Sequence, residues 1–310
     1  MQSDRNKALF DQLNQLATEQ RNPNSMEIDL ADAFEIARII NQEDATVAQA
    51  VSKRLNQIAE AIELVKMALE SGGRLIYTGA GTSGRIGIVD ASECPPTFGT
   101  DPSQVLGVIA GGREAIFQAQ EGCEDSPEQG MRDMEALNLS ASDVVCGLAA
   151  SGRTPYVHGT LQKAAEVGAG TLFICCVPSH QLQLPVQPRV VIDVEVGPEV
   201  IMGSTRMKSG TAQKMVCNMI TTGAMIRLGK IYENVMVDLM LTNKKLVERS
   251  RRILMMLTGL EYEMAADLLD QSGGHVKTAM VMALLGVDRQ QAIHLLQDNE
   301  GFVRKACSLS

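Results

Sequence analysis

Between residue 74 and about residue 195, short apolar runs alternate with stretches of helical pattern, and this alternation constrains the fold more than anything else in the chain. The runs are Arg74–Thr78, Val105–Ala110, Asp143–Ala149, Thr171–Cys176 and Val190–Val194. Each is apolar almost throughout rather than at every second position, the pattern of a strand covered on both faces. Helical stretches separate the first four, Thr154–Val167 among them, and the last connection, 178–189, carries Pro178, Pro185 and Pro188 and reads as loop. Apolar strands joined through helices make a parallel sheet with helices on both sides, because parallel neighbours need a long crossover.

The flanks are helical. Asp44 or Thr46 is placed to cap a helix running to Leu69, with Val47, Val51, Leu55, Ile58, Ile62 and Val65 at three- and four-residue steps, and Ser71-Gly72-Gly73 stops it. Beyond 209 the pattern predicts helices over 210–228, 234–257, 261–270, 275–285 and 289–297. The expected organisation is an N-terminal helical segment, 1–70, a central domain, 71–245, and a C-terminal helical appendage, 246–310, acting as a lid or a dimer arm. With no Trp and six Phe, the core falls to Leu, Ile, Val, Ala and 17 Met, and the methionines near 255 and 280 read as helix packing.

A net charge of −9 without a basic stripe argues against nucleic acid as a partner, though not against a small anion held by local donors. No run approaches about eighteen apolar residues, so no membrane span is expected. The start, MQSDRNKALF, lacks the apolar core of a secretory signal, which points to the cytoplasm. Seven cysteines at irregular spacing, with no CxxC, read as buried thiols in a reducing compartment. The four histidines form no metal-spaced pair, so no metal is expected.

Two strand ends carry loops of similar chemistry: Gly79-Ala80-Gly81-Thr82-Ser83-Gly84-Arg85 after the first run and Ala150-Ser151-Gly152-Arg153-Thr154 after the third. In each, glycine admits close backbone approach, hydroxyls follow, and a helix begins with its N–H groups free. Strand C-termini are where open parallel sheets bind ligands. The pair points to a phosphate gripped by Ser83, Ser151 and Thr154, with Thr82, Gly84 and Gly152 in the same loops. Gly79, Gly81 and Gly84 also match GxGxxG, which raises a dinucleotide site, but that site uses one glycine loop and a distal acid, and two hydroxyl-rich loops fit a monophosphate better.

Longer strings carry a resemblance. TEQRNPNS at 18–25, GRLIYTGAGTSGRIGIVDASECPPTFG at 73–99, AASGRTPYV at 149–157 and GPEVIMGSTRMKSGTAQKM at 197–215 resemble the N-acetylmuramic acid 6-phosphate etherases, and the last string resembles a signature shared with glucokinase regulatory proteins. The likeness runs from about residue 10 to 305. It implies a sugar isomerase (SIS) domain: three αβα layers around a five-stranded parallel, flavodoxin-like sheet. It further implies a homodimer and a lyase without cofactor, turning N-acetylmuramic acid 6-phosphate and water into N-acetylglucosamine 6-phosphate and D-lactate in peptidoglycan recycling.

An ether oxygen at C3 leaves poorly. If the sugar opens to its aldehyde, the proton at C2 becomes acidic, a base removes it, an acid protonates the departing lactate oxygen, and water adds to the unsaturated aldehyde. Two proton-transfer groups suffice. Glu93, in ASECPP among small and apolar residues, is expected to be a partly desolvated carboxyl; Glu124 lies in EGCED beside Glu121, Asp125 and Glu128, and spacing alone does not choose among these. The resemblance matches Glu93 and Glu124 to the family's catalytic glutamates, Glu93 at the lactate oxygen and the incoming water, Glu124 at C2. Asp90 reads as a surface residue near a helix end.

Ser204 or Thr205 is a candidate for sugar hydroxyls, Arg206 or Lys208 for positive charge near an anion, and Glu199 for a sugar hydroxyl, with Ser209 alternatively a plain N-cap. Lys277 and His275, after Gly273-Gly274, reach a ligand if the appendage folds over the site and otherwise form a solvated helix start. Competing readings are a hexosamine-phosphate isomerase, which needs no acid at C3, and a sugar-phosphate sensor controlling a kinase, which needs neither glutamate.

Overall fold

The structure is a computed structural model that describes residues 17–239 and 244–308. The helical expectation for 1–16, and the stretch 240–243 of the 234–257 expectation, lie outside the described residues. The chain divides into two compact units: one comprises the chain up to Ser92 with Ser103–Ile220, the other Glu93–Pro102 with the chain from Thr221 onward. This partition by contact differs from the sequence boundaries at 70 and 245, since the helices before residue 70 pack into the sheet unit.

In chain order the sheet unit contains α1 (Ala33–Asp44), α2 (Val47–Ser52), α3 (Leu55–Glu70), β1 (Leu75–Gly79), α4 (Gly81–Phe98, continuing past the unit boundary), β2 (Val105–Ile109), α5 (Glu114–Phe117), α6 (Pro127–Ala136), β3 (Val144–Leu148), α7 (Pro155–Glu166), β4 (Gly170–Cys175), β5 (Val190–Asp193) and α8 (Lys208–Arg227, ending past the boundary). The five strands are parallel in the order β2-β1-β3-β4-β5, each within a residue of its expected bounds.

Alternation of side chains divides the sheet's contacts between its faces. Ile76, Val145 and Phe173 join Tyr156, Val157, Leu161 and Ala164 of α7 in one buried cluster. Thr78 and Thr160 share a buried hydroxyl hydrogen bond of 2.8 Å on that face. Opposite, Tyr77 meets α4 and α8: its hydroxyl donates to the Cys217 carbonyl at 3.4 Å, and a side chain at Gly87 would stand 2.7 Å from Tyr77 Cβ. A side chain at Gly107 would stand 2.6 Å from Ile88 Cα, so α4 rests directly on β1 and β2. Helix, sheet, helix are the expected three layers.

The helix expected from residue 44 or 46 to 69 is two helices. The break falls at Lys53-Arg54, where Arg54 Nε donates to the carbonyl (2.8 Å) and carboxylate (2.6 Å) of Asp193 at the end of β5. Thr46 makes no side-chain cap and donates instead to the Glu43 carbonyl. Gly72, at φ +77°, and the bond from Gly73 N to the Ala68 carbonyl close α3 as expected.

The second unit holds an antiparallel hairpin, β6 (Ile231–Tyr232) with β7 (Val235–Met236), then α9 (Lys244–Thr258), α10 (Tyr262–Gln271), α11 (Val276–Leu285), α12 (Arg289–Asp298) and α13 (Val303–Ala306). The hairpin corrects the helix expected from 234. Gly229 at φ +70° follows α8, and Glu233 at φ +54° with Asn234 makes a turn between β-favouring residues. Leu254, Leu269, Ala279, Met280 and Leu296 form its core with Met255 packed against it, so the methionines at these positions do pack helices. The short α13 was not anticipated.

One buried ion pair binds the end of α1 to the start of α8. Lys208 Nζ lies 2.6 Å from Glu43 Oε2, both side chains at most one-tenth exposed. Asn22 (2.7 Å) and Asn24 (2.8 Å) donate to the same carboxylate, while Asn22 and Ser25 also donate to the carbonyls of Pro198 and Val200. Burial works against the Glu43 carboxylate, yet the bonds from Lys208, Asn24 and Asn22 hold its pKa below the usual value. A depressed folded pKa contributes stability that is present above the unfolded pKa, roughly 4.3, and lost as pH falls through the folded one. Glu43→Gln should therefore cost about 3 kcal/mol at pH 7 by leaving the lysine buried without its partner. In urea unfolding, the gap to the parent should narrow as pH drops below about 4; an equal gap at pH 7 and pH 3 would remove the ion pair from the account.

Candidate active site

In the order β2-β1-β3-β4-β5 the chain leaves β1 for β2 on one side and leaves β3 for β4 on the other, so the loops after β1 and β3 open at the switch point between them. These are the two hydroxyl-rich loops. After β1, a side chain at Gly84 would stand 2.6 Å from Ile109 Cγ1 and 2.8 Å from the Gly79 carbonyl, so Gly84 is required for packing. Ser83 Oγ donates to Gln213 Oε1 of α8 at 2.9 Å. Thr82 is half-buried.

After β3, Gly152 adopts φ +73°, and a side chain there would stand 2.3 Å from Leu182 of the proline-rich connection. His158, in the first turn of α7, donates through Nε2 to the Gly152 carbonyl at 3.0 Å, and burial holds its pKa below the ordinary imidazole value. The imidazole is thereby a fixed neutral strut. Thr154 occupies the N-cap of α7 without capping it. Among the described residues, the side chains of Thr82, Ser151 and Thr154 make no hydrogen bond, and none is fully buried. Three hydroxyls in the expected loops thus keep their protons available.

A cavity of about 460 Å³ opens beside the first loop, lined by Ala80, Gly81 and Arg85 and, across it, by Glu121, Cys123 and Glu124. The structure thus brings Glu124 beside the first loop together with Glu121, and leaves Asp125 and Glu128 off the lining. Arg85 is steadied by donating Nε to the Ile116 carbonyl at 2.9 Å. Glu124 sits in a 3-10 turn, Cys123–Asp125, entered through Gly122 at φ +77°. A side chain at Gly111 would stand 3.1 Å from Cys123 Sγ, so the turn packs on the glycines that follow β2.

Glu93 is exposed on α4, roughly three turns beyond Gly81. The expected desolvation is absent because Ala91, Cys94 and Phe98 take the buried side of the helix and leave Ser92 and Glu93 outward. Asp90, expected at the surface, is buried and accepts from Asn218 Nδ2 at 2.5 Å.

The segment before α8 also differs in detail. Glu199 is fully buried, and its carboxylate accepts from Lys208 N (2.8 Å), Ser209 N (2.9 Å) and Ser209 Oγ (2.7 Å). It caps α8 from outside, so its oxygens are engaged by the helix, and Ser209 lies within the first turn instead of at the N-cap. Lys208 is neutralised by Glu43 and offers no free charge to an anion. Ser204 is half-buried in the turn before the helix.

Within the second unit, Lys277 is buried and paired with Asp238 at 2.8 Å, which corrects the solvated helix start. Lys230 (3.0 Å) and His275 (3.3 Å) approach the same carboxylate. Despite burial, these neighbours hold Asp238 well below the ordinary carboxylate range. A cavity of about 370 Å³ lies beside them, lined by Gly99, Lys230, Asp238 and Gly273 to His275.

All seven cysteines are free thiols, six of them buried and Cys123 half-buried. Among the described residues no helix is long and apolar enough to cross a membrane, and no group of three or more His, Cys, Asp or Glu is placed to hold a metal. Sequence reasoning missed Gln213 and His158. Nothing in TAQKM or YVHG separates these from ordinary helical residues, since each acts only through a loop brought to it by the fold.

Comparison with known proteins agrees with the resemblance. The family described as glucokinase regulatory protein N-terminal SIS domain matches residues 57–165. The N-acetylmuramic acid 6-phosphate etherase of Salinibacter ruber is 57% identical over 96% of this chain and 96% of its own. That of Rhodopirellula baltica is 52% identical over 96% and 98%. Among solved structures, a putative phosphosugar isomerase involved in capsule formation from Bacteroides fragilis superimposes at a TM-score of 0.48 with 19% identity, covering 63% of this chain and 91% of its own. At such identity, over nearly its whole length, the chain belongs to the N-acetylmuramic acid 6-phosphate etherase family.

Proposed function

We propose that the chain cleaves the D-lactyl ether at C3 of N-acetylmuramic acid 6-phosphate, releasing D-lactate and N-acetylglucosamine 6-phosphate. It is a carbon–oxygen lyase. The observation that carries the residue-level reading is the cavity shared by the first hydroxyl loop and Glu124, in a chain of this family. The phosphate is held by the hydroxyls of Thr82, Ser83, Ser151 and Thr154 and by the backbone at Gly84 and Gly152, where two helices begin. Anchored there, the opened sugar extends along the cavity toward Glu124.

Glu124 removes the C2 proton, acidified by the C1 aldehyde. The electron pair forms the C2–C3 double bond as the C3–O bond breaks, and an acid delivers a proton to the departing lactate oxygen. Water then adds at C3 and C2 regains a proton, so one water is consumed and no electrons are exchanged. Glu93 is assigned to the lactate oxygen and the incoming water on the strength of its place in ASECPP. Glu199 supports the site by holding α8, and Ser204 is a candidate for a sugar hydroxyl. Lys277 is retained as a ligand contact through the family resemblance, now as an ion-paired group. The resemblance likewise supports a homodimer in the cytoplasm acting on a small sugar phosphate, without cofactor, nucleic acid or membrane.

Two measurements test this. Purified protein given N-acetylmuramic acid 6-phosphate in heavy-oxygen water should release unlabelled lactate and place the label at C3 of the sugar. Label in the lactate would mean attack on the lactyl carbon and would end the elimination scheme; tight sugar-phosphate binding without lactate would favour a sensor. Second, Glu124→Gln should lower kcat by about 10²-fold or more, while Glu121→Gln should leave it within a few-fold. The reverse ranking would transfer the base to Glu121. Glu93→Gln should abolish lactate release with the fold intact, and parental turnover would strike Glu93 from the mechanism.

A further inference from the structure

Gln213 is 1% exposed on α8, and the structure ties it to Ser83 alone: Oε1 accepts the Ser83 hydroxyl proton at 2.9 Å, whereas the buried Nε2 finds no partner among the described residues. A buried amide donor without a partner is costly, and an apolar side chain of the same length would avoid that cost. The position is also tightly built. Glu199 fixes the first turn of α8, and at Gly210 a side chain would already touch Thr82 Cγ2 and Ile86 Cδ1 at 3.6 Å. The helix therefore delivers Gln213 to the phosphate loop with little freedom to withdraw.

A serine has one proton. Given to Gln213, it is not available to a phosphate, whose oxygens act as acceptors, and Ser83 would meet the phosphate lone pair to lone pair. Turning the amide by 180° exchanges two atoms of nearly equal size, so it needs no extra room. Nε2 then donates to Ser83 Oγ, and the Ser83 proton is released toward the loop.

We propose that Gln213 is a positioning residue for the phosphate: with substrate bound, its amide donates to Ser83 so that the single Ser83 proton is directed at a phosphate oxygen. The inference rests on the phosphate reading of the two loops and adds a residue to it. Gln213 touches no reacting atom, so it acts on binding and leaves the chemical step alone.

The test measures KM for N-acetylmuramic acid 6-phosphate, Ki for inorganic phosphate and kcat in Gln213→Met, Gln213→Glu, Ser83→Ala and the Gln213→Met/Ser83→Ala pair. Gln213→Met should raise KM and Ki roughly 10-fold, the scale of one hydrogen bond to a charged group, with kcat nearly constant. In the Ser83→Ala background, Gln213→Met should add nothing. Gln213→Glu keeps the shape, and its carboxylate only accepts, holding the serine proton away; it should weaken phosphate binding at least as much, and it serves if the methionine variant does not fold. Parental KM and Ki in Gln213→Met, or an effect undiminished without the Ser83 hydroxyl, would overturn the inference and leave the phosphate reading standing. An unchanged Ki in Ser83→Ala alone would instead remove the phosphate reading of Ser83, and the inference with it.

Discussion

The position of β1 between β2 and β3 is the constraint on which the rest depends. The chain leaves β1 toward one edge of the sheet and later leaves β3 toward the other. The crossovers therefore diverge, and no helix can close the gap above the shared border. Two helix starts, those of α4 and α7, follow the loops at that border, where the first N–H groups of a helix have no partner within it. In the proposed function it is the phosphate of the substrate that these helix starts hold.

Holding that geometry falls largely to glycines and to two buried carboxylates. Gly84, Gly87 and Gly107 let α4 lie against β1 and β2 at backbone distance, which fixes the level of the first loop. Glu199 and Glu43 fix α8 from the opposite direction, one capping its first turn and the other neutralising Lys208. This explains why TEQRNPNS and the long string at 197–215 occur in one chain although they are far apart in sequence. Asn22, Asn24 and Ser25 of the first string bond Glu43 or the carbonyls of the second, so the two form one wall. Much of what looks like ligand chemistry in these strings is support for the residues that would bind.

The sheet was legible because fully buried parallel strands write themselves as continuous apolar runs, and the two loops because glycine and hydroxyl clusters at strand ends have few other uses. The hairpin at 231–236 was not legible: with Val235, Met236 and Val237 beside polar residues, helical and strand periodicity cannot be told apart over so short a span. Burial of single polar residues was misread in both directions. The small and apolar neighbours of Glu93 imply a partly desolvated carboxyl, yet those neighbours take the inner side of α4 and leave Glu93 exposed. Asp90, expected at the surface, and Lys277, expected either at a ligand or at a solvated helix start, are each buried with a partner distant in sequence, Asn218 and Asp238. Local composition reports which face of an element is apolar; it does not report what the opposite face will meet.

The choice among the acidic residues of EGCEDSPE shows how the fold supplies what spacing could not. Glu121 and Glu124 both line the cavity, but their backbones are held differently. Glu121 precedes Gly122, a residue at positive φ with nothing in reach of a side chain there. Glu124 follows Cys123, whose sulfur is packed against Gly111, and it lies within a hydrogen-bonded turn closed from Asp125 N to the Gly122 carbonyl at 3.3 Å. Proton abstraction from carbon demands a base held to within about half an ångström of its target. Each glutamate follows a residue that lies against Gly111, Gln120 before Glu121 and Cys123 before Glu124, while Glu124 falls within the 3-10 turn; the fold thus narrows four acidic residues to two, and the proposal of Glu124 as the base rests on the family resemblance together with that turn.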